Sequence, residues 1–209
     1  KIINLIKRKK SKKVLFAGKI AKPKFSSLKL DLKGIYYMPS VIRAAKIGDA
    51  AIIKSIIKIL NNENIKVLSS IHFNKELTQN KGNHSKFKPS ITDLKSIKKG
   101  IKYFKKLNNL DHVQAFVVKK NQIIATETNR GTKNMLSNLK KKTGGILIKL
   151  PKKKQDLRID LPTVGLQTFK DLKKYNLKGV VLKSKKNIFL NKKECINFAK
   201  KKQIFIHII

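Results

Sequence analysis

The chain has 209 residues, enough for one or two domains with cores of their own. Its 51 Lys and Arg against 11 Asp and Glu give a formal net charge of +40, yet only Arg8, Arg43, Arg130 and Arg158 are arginines. Nucleic-acid readers lean on Arg forks and aromatic stacking, and with no Trp and few Tyr the charge reads as a lysine-rich solvated surface, so no nucleic acid is expected as partner. The lone Cys195 excludes an intrachain disulfide and a Cys-based zinc site. No run of about 18 apolar residues offers a membrane-spanning helix, and no secretory signal is visible, so a cytoplasmic location is the default.

In chain order, residues 2–9 have helical apolar spacing and Lys13–Ala17 reads as a short buried strand closed by Gly18. A helix running into a strand this early implies a strand further upstream, and the first residue is Lys1 rather than Met. The first domain is therefore expected to be incomplete. Residues 19–38, with Pro23 and Gly34, read as loop; a helix is expected from Pro39-Ser40, resuming after Gly48-Asp49. There Ile52, Ile53, Ile56, Ile57 and Leu60 share one helical face. Val67–Ile71 is a further strand, and the polar, aliphatic-poor stretch 74–90 reads as a linker.

The second half predicts a helix over 91–108 with Asp93 near its positive end. Two strands follow between Val113 and Glu127, turning at Lys119–Gln122, then a helix over 131–142 and a strand over 145–150 stopped by Pro151. After the stretch 157–165 come a helix to about Tyr175, strands at 179–183 and 188–190, a helix over 191–202 and a terminal strand over 204–209. The class is α/β: a partial N-terminal α/β domain over 1–73, a linker over 74–90 and a C-terminal α/β domain over 91–209.

His72, His84, His112 and His207 have no metal-ligand spacing, and no phosphate-loop or nucleophile-elbow motif occurs. Carboxylates and cations remain. Asp156, Arg158 and Asp160 alternate, so on an extended strand they project to one face. Arg158 has two readings, a fork for a bound anion or an ion pair with Asp156 or Asp160. Asp160 precedes Leu161-Pro162-Thr163-Val164-Gly165, a turn in which capping is the commonest use of Asp. Lys149 and Lys152 lie just upstream. Glu127, Thr128, Arg130 and Thr132 cluster at another strand-to-helix junction, where a helix N-terminus suits an anion. Two such junctions at one sheet edge make the usual crevice of an open α/β fold.

The stretch Lys149–Gly165, with its K-x-P…Q-x-x-R-x-D-L-P-T-x-G pattern, resembles the signature of UDP-2,3-diacylglucosamine pyrophosphatases of the LpxI type. Other segments agree in order: Ala17-Gly18 with Pro23 and Phe25, Pro39-Ser40, Gly48-Asp49, Gln114-Ala115 with Val117, Glu127 with Gly131-Thr132 and Met135-Leu136, and Leu177 with Gly179-Val180. The resemblance implies two α/β domains joined by a linker. It also implies hydrolysis of UDP-2,3-diacylglucosamine in lipid A biosynthesis, by water attack at the α-phosphorus, to UMP and 2,3-diacylglucosamine 1-phosphate. A divalent cation, usually Mg²⁺, is expected as cofactor. The essential acidic residue of the family maps onto Asp160.

Expected substrate contacts are Arg158, Lys149, Thr163, Gln114 and Thr132; expected metal ligands are Asp160 and Glu127. The substrate is a lipid-linked nucleotide sugar, so the expected location is cytoplasmic, peripheral at the inner membrane, with surface Lys attracted to anionic lipid; an oligomer is compatible. Three departures from the family pattern stand out: no G-x-G-G-L-P loop or the roughly fifty residues around it, Lys133 where an acidic residue is expected, and Ala50 where a second one is expected. The alternatives are a noncatalytic basic RNA-binding protein and an inactive truncated family member.

Overall fold

The computed structural model describes residues 1–18, 28–107, 113–140, 142–152 and 155–209. Pro23, Phe25, His112 and part of the helix expected over 131–142 lie outside them. The chain divides into two compact units, Lys1–Phe73 with Asp156–Asp160, and Asn74–Gln155 with Leu161–Ile209. Both mix helices and strands, so the class is α/β.

The first unit contains α1 (Ile2–Arg8), β1 (Lys13–Leu15), α2 (Leu32–Ile47), α3 (Asp49–Asn62) and β2 (Lys66–Leu68). β1 and β2 run parallel, with Val14 opposite Val67. The apolar face of α3 supplies Ile57 and Leu60 to a core shared with Ile65 and Val67, and Ile159 of the returning segment packs on it. Glu63, at the C-terminal end of α3, ties three helices together. Its carboxylate receives Lys7 Nζ at 2.5 Å, Lys33 Nζ, and Tyr37 OH at 3.0 Å. The Lys33 ammonium first, then Lys7, holds this carboxyl down at about 2.

Helix α2 starts seven residues earlier than Pro39 suggests. Asp31 caps it, accepting Gly34 N–H at 2.8 Å through Oδ1. Pro39 therefore sits inside the helix, where it lacks the amide that would bond back toward Ile35. Tertiary packing and a good cap outweigh that loss. The same helix leaves Leu32, Ile35, Tyr36 and Ile47 exposed.

The second unit begins at Asn74, so the expected linker is a correction. Residues 74–90 hold a 3-10 turn (Lys75–Leu77) and β3 (Gly82–Asn83), and β3 pairs antiparallel with the final strand. Sequence polarity misleads there because an edge strand of two residues needs no apolar alternation. After it come α4 (Ile91–Lys106), β4 (Ala115–Lys119), β5 (Gln122–Thr126), α5 (Gly131–Ser137), β6 (Ile146–Lys149), β7 (Thr163–Val164), α6 (Leu166–Lys174), β8 (Gly179–Leu182), β9 (Ile188–Phe189), α7 (Lys192–Lys202) and β10 (Phe205–Ile208). Ser90 and Asp93 form a reciprocal capping box at the start of α4.

Among the described residues, six strands form one sheet in the order β3-β10-β8-β6-β4-β5. β6, β8 and β10 are parallel; β4 is antiparallel to β6, and β5 to β4. Alternate residues feed two cores. Ala115, Val117, Leu147, Val180 and Ile206 meet α5, α6 and α7 on one face. Phe116, Val118, Ile146, Ile148, Val181 and Phe205 meet α4 on the other. Burial on both faces explains why β6 and β8 read as continuous apolar runs. Two glycines set close approaches. A Cβ on Gly100 of α4 would stand 2.7 Å from Ile148 Cδ1, and one on Gly179 would stand 2.3 Å from the Phe205 ring. Cys195 of α7 is fully buried in the first of these cores, and its thiol lies 3.3 Å from Leu190 O.

Candidate functional site

The parallel strands β6, β8 and β10 end together at one sheet edge, and antiparallel β4 begins there, since Ala115 is opposite Lys149. At that edge the hairpin β4–β5 brings Glu127 beside Gln114. Glu127 is 2% exposed, and its Oε2 accepts Gln114 N–H at 2.8 Å while Oε1 accepts the Thr132 hydroxyl at 2.6 Å. Gln114 O in turn accepts Leu150 N–H at 2.8 Å. One residue earlier, the Lys149 side chain, 8% exposed, donates to Thr163 O at 3.0 Å. Gln114, Glu127, Thr132, Lys149 and Thr163 are thus one connected cluster.

This geometry reassigns two expected roles. Both Glu127 oxygens are engaged by protein donors and the residue is buried, which does not fit a metal ligand. It fits an anchor that joins the start of β4 to α5. The anion expected at the start of α5 would meet this carboxylate, and the Thr132 hydroxyl is already committed to it.

Asn187 belongs to the same edge and carries no sequence signal. It is 3% exposed; Nδ2 donates to Lys149 O at 3.1 Å and Oδ1 accepts Lys183 N–H at 2.8 Å. Its side chain thereby closes the gap where β6 and β8 stop pairing. The next residue, Ile188, donates its N–H to Pro162 O at 2.9 Å. The Pro162-Thr163 segment is therefore held from two sides, by β9 and by Lys149.

Asp160 and Arg158 lie in the segment that belongs to the first unit. That segment is a turn, not the extended strand that the alternation suggested. Asp156 O accepts Ile159 N–H at 3.2 Å and Asp160 N–H at 2.9 Å, so the three charged residues do not share a strand face. Arg158 forms the ion pair that was one of its two readings: Nε donates to Asp156 Oδ1 at 3.0 Å and Nη2 to Oδ2 at 2.7 Å. The guanidinium holds the Asp156 carboxyl below the usual carboxylate range. Ser70 N–H donates to Arg158 O at 2.7 Å, and Ile159 enters the core of this unit. Asp160 is half-buried, and its carboxylate has no hydrogen bond or ion pair with the described residues. It is not acting as a cap. Its neighbours in the turn are fixed, while its own oxygens are uncommitted.

A family model for the LpxI N-terminal domain matches residues 1–77, and one for the LpxI C-terminal domain matches residues 80–207. The chain belongs to the LpxI family. It is 28% identical over 203 residues to the UDP-2,3-diacylglucosamine pyrophosphatase LpxI of Caulobacter vibrioides, with 92% of this chain and 72% of that relative covered.

Within the LpxI frame, the described residues contain no group of three or more His, Cys, Asp or Glu able to cage a metal ion. Mg²⁺ does not need such a cage. It is commonly held by one or two carboxylates together with substrate phosphates and water. Asp160 fits that requirement and Glu127 does not. No helix among the described residues is long and apolar enough to cross a membrane.

Proposed function

We propose that this chain hydrolyses UDP-2,3-diacylglucosamine at the α-phosphorus, giving UMP and 2,3-diacylglucosamine 1-phosphate. The observation that carries the proposal is the uncommitted, half-buried carboxylate of Asp160 in a turn otherwise fixed by hydrogen bonds, in a chain of the LpxI family. Water adds to the α-phosphorus, the bond from that phosphorus to the bridging oxygen breaks, and the acylated sugar phosphate leaves with the bridging oxygen. A bound Mg²⁺ supplies charge neutralisation on the phosphates, and Asp160 is the residue that would hold it. Asp160 also orients the attacking water by accepting its hydrogen bond. Arg158, occupied by Asp156, fixes the turn and is not a phosphate contact in this scheme. Lys149 contributes positive charge at the sheet edge, and Gln114 and Thr163 shape it. The substrate's acyl chains place the reaction at the cytoplasmic face of the inner membrane, where surface Lys meets anionic headgroups.

The test is release of UMP from UDP-2,3-diacylglucosamine with Mg²⁺ present. Asp160→Ala is expected to lower the rate by at least about 10²-fold, the scale for losing a positioned acid–base group, and chelation with EDTA to abolish turnover. A fully active Asp160→Ala protein overturns the role of Asp160.

A further inference from the structure

Gln155 lies in the second unit, three residues after Lys152 and six after Lys149. It is 8% exposed. Its Oε1 accepts the Lys152 backbone N–H at 2.9 Å, and its own backbone N–H donates to Lys152 O at 3.3 Å. These bonds fix the orientation of the side-chain amide. A backbone N–H can only donate, so the atom facing it is the oxygen and the remaining atom is the NH₂ group. That Nε2 is buried and has no hydrogen-bond partner among the described residues. A buried donor left unpaired is costly, and most such groups in native structures find a partner in protein, water or a ligand. The neighbouring chemistry selects the ligand. Lys149 and Lys152 precede Gln155 in the same basic stretch, which makes an anionic oxygen the acceptor that best completes Nε2.

We propose that Gln155 is a substrate-reading residue whose Nε2–H donates to a phosphate oxygen of the diphosphate. The inference rests on the proposed hydrolase activity and adds a residue to it. Lys152 N–H sets the amide, and the amide then presents a fixed donor, so binding a phosphate requires no reordering of this side chain.

Two substitutions separate this role from a structural one. Gln155→Glu keeps an oxygen for Lys152 N–H but turns the donor into a second, negatively charged oxygen. Gln155→Met keeps the volume and loses both the side-chain acceptor and the side-chain donor. If Gln155 reads phosphate, both variants lose about 10- to 100-fold in kcat/KM, the scale for one hydrogen bond to a charged group, and Gln155→Glu is at least as impaired as Gln155→Met although it melts at the wild-type temperature. If Gln155 only shapes the turn, Gln155→Glu is active and Gln155→Met alone is weak, which overturns the proposal.

A second readout does not depend on turnover. In ¹⁵N spectra of the full chain, the side-chain NH₂ pair of Gln155, assigned by its loss in Gln155→Glu, is expected to shift with UDP and inorganic pyrophosphate but not with uridine. An unmoved NH₂ pair in saturating UDP and pyrophosphate also overturns it. Wild-type protein that fails to release UMP while this NH₂ pair still shifts would refute the hydrolase reading and leave the phosphate contact standing.

Discussion

The two units solve the problem of staying folded in different ways. In the second, a six-stranded sheet is covered on both faces, and whole strands such as Ile146–Lys149 and Gly179–Leu182 are buried. In the first, the core among the described residues is Ile57, Leu60, Ile65 and Val67 beside a two-stranded sheet, and α2 leaves five large apolar side chains, Ile42 among them, in solvent. What the first unit lacks in packing it supplements with charge, chiefly Glu63 gathering Lys7, Lys33 and Tyr37. The units also divide the polar residues differently. The second locks its carboxylate, Glu127, inside a hydrogen-bond cluster; the first leaves Asp160 uncommitted.

The contrast predicts where each unit breaks. Gly179→Ala should have the largest effect on stability, because its Cβ would meet the buried Phe205 ring at 2.3 Å. Overpacking of that kind costs about 1–3 kcal/mol, read as a lower urea midpoint for the second unit. Next is Glu127→Ala, which leaves the half-buried Gln114 amide without its carboxylate partner for about 1–2 kcal/mol. Its Mg²⁺ dependence of hydrolysis should match wild type; a raised Mg²⁺ requirement would restore Glu127 as a metal ligand.

The smallest effect belongs to the first unit and is conditional on pH. The Glu63 carboxyl is held at about 2 against an ordinary 4.5. Its folded value is depressed, so its stabilisation is present above about 4.5 and fades as the pH falls toward 2. Glu63→Gln should therefore flatten the acid limb of the first unit's stability curve and weaken its salt dependence at pH 7. Identical acid limbs in the two proteins would remove Glu63 from the account.

Legibility in the sequence followed the same divide. β4, β5, β6, β8 and β10 were readable because burial on both faces, or a turn such as Lys120-Asn121 with positive φ, leaves a strong local pattern. β3 was not, because Gly82-Asn83 is a strand only by virtue of the neighbouring β10. Pro39 suggests a helix start, although the Asp31 cap is the stronger signal. The alternation of Asp156, Arg158 and Asp160 mimicked a strand, but Asp156 O captures two amides and curls the segment. The expectations for Asp160, Lys149 and Gln114 come from the motif. Asn187 raises none, since a lone Asn between lysines and a two-residue strand carries no local pattern. The uncommitted Nε2 of Gln155 is visible only once Lys152 N–H has claimed the other end of the amide.

Cys195 offers a way to watch the better-packed unit open. Burial first, then Glu194, pushes its thiol up to about 11, so at neutral pH it is protonated and shielded within the core. A thiol reagent can modify it only during moments when α7 lifts from the sheet. As the chain's only cysteine, it makes labelling rate a one-site clock for that opening. Labelling with and without substrate would then measure whether ligand binding slows the breathing of this helix.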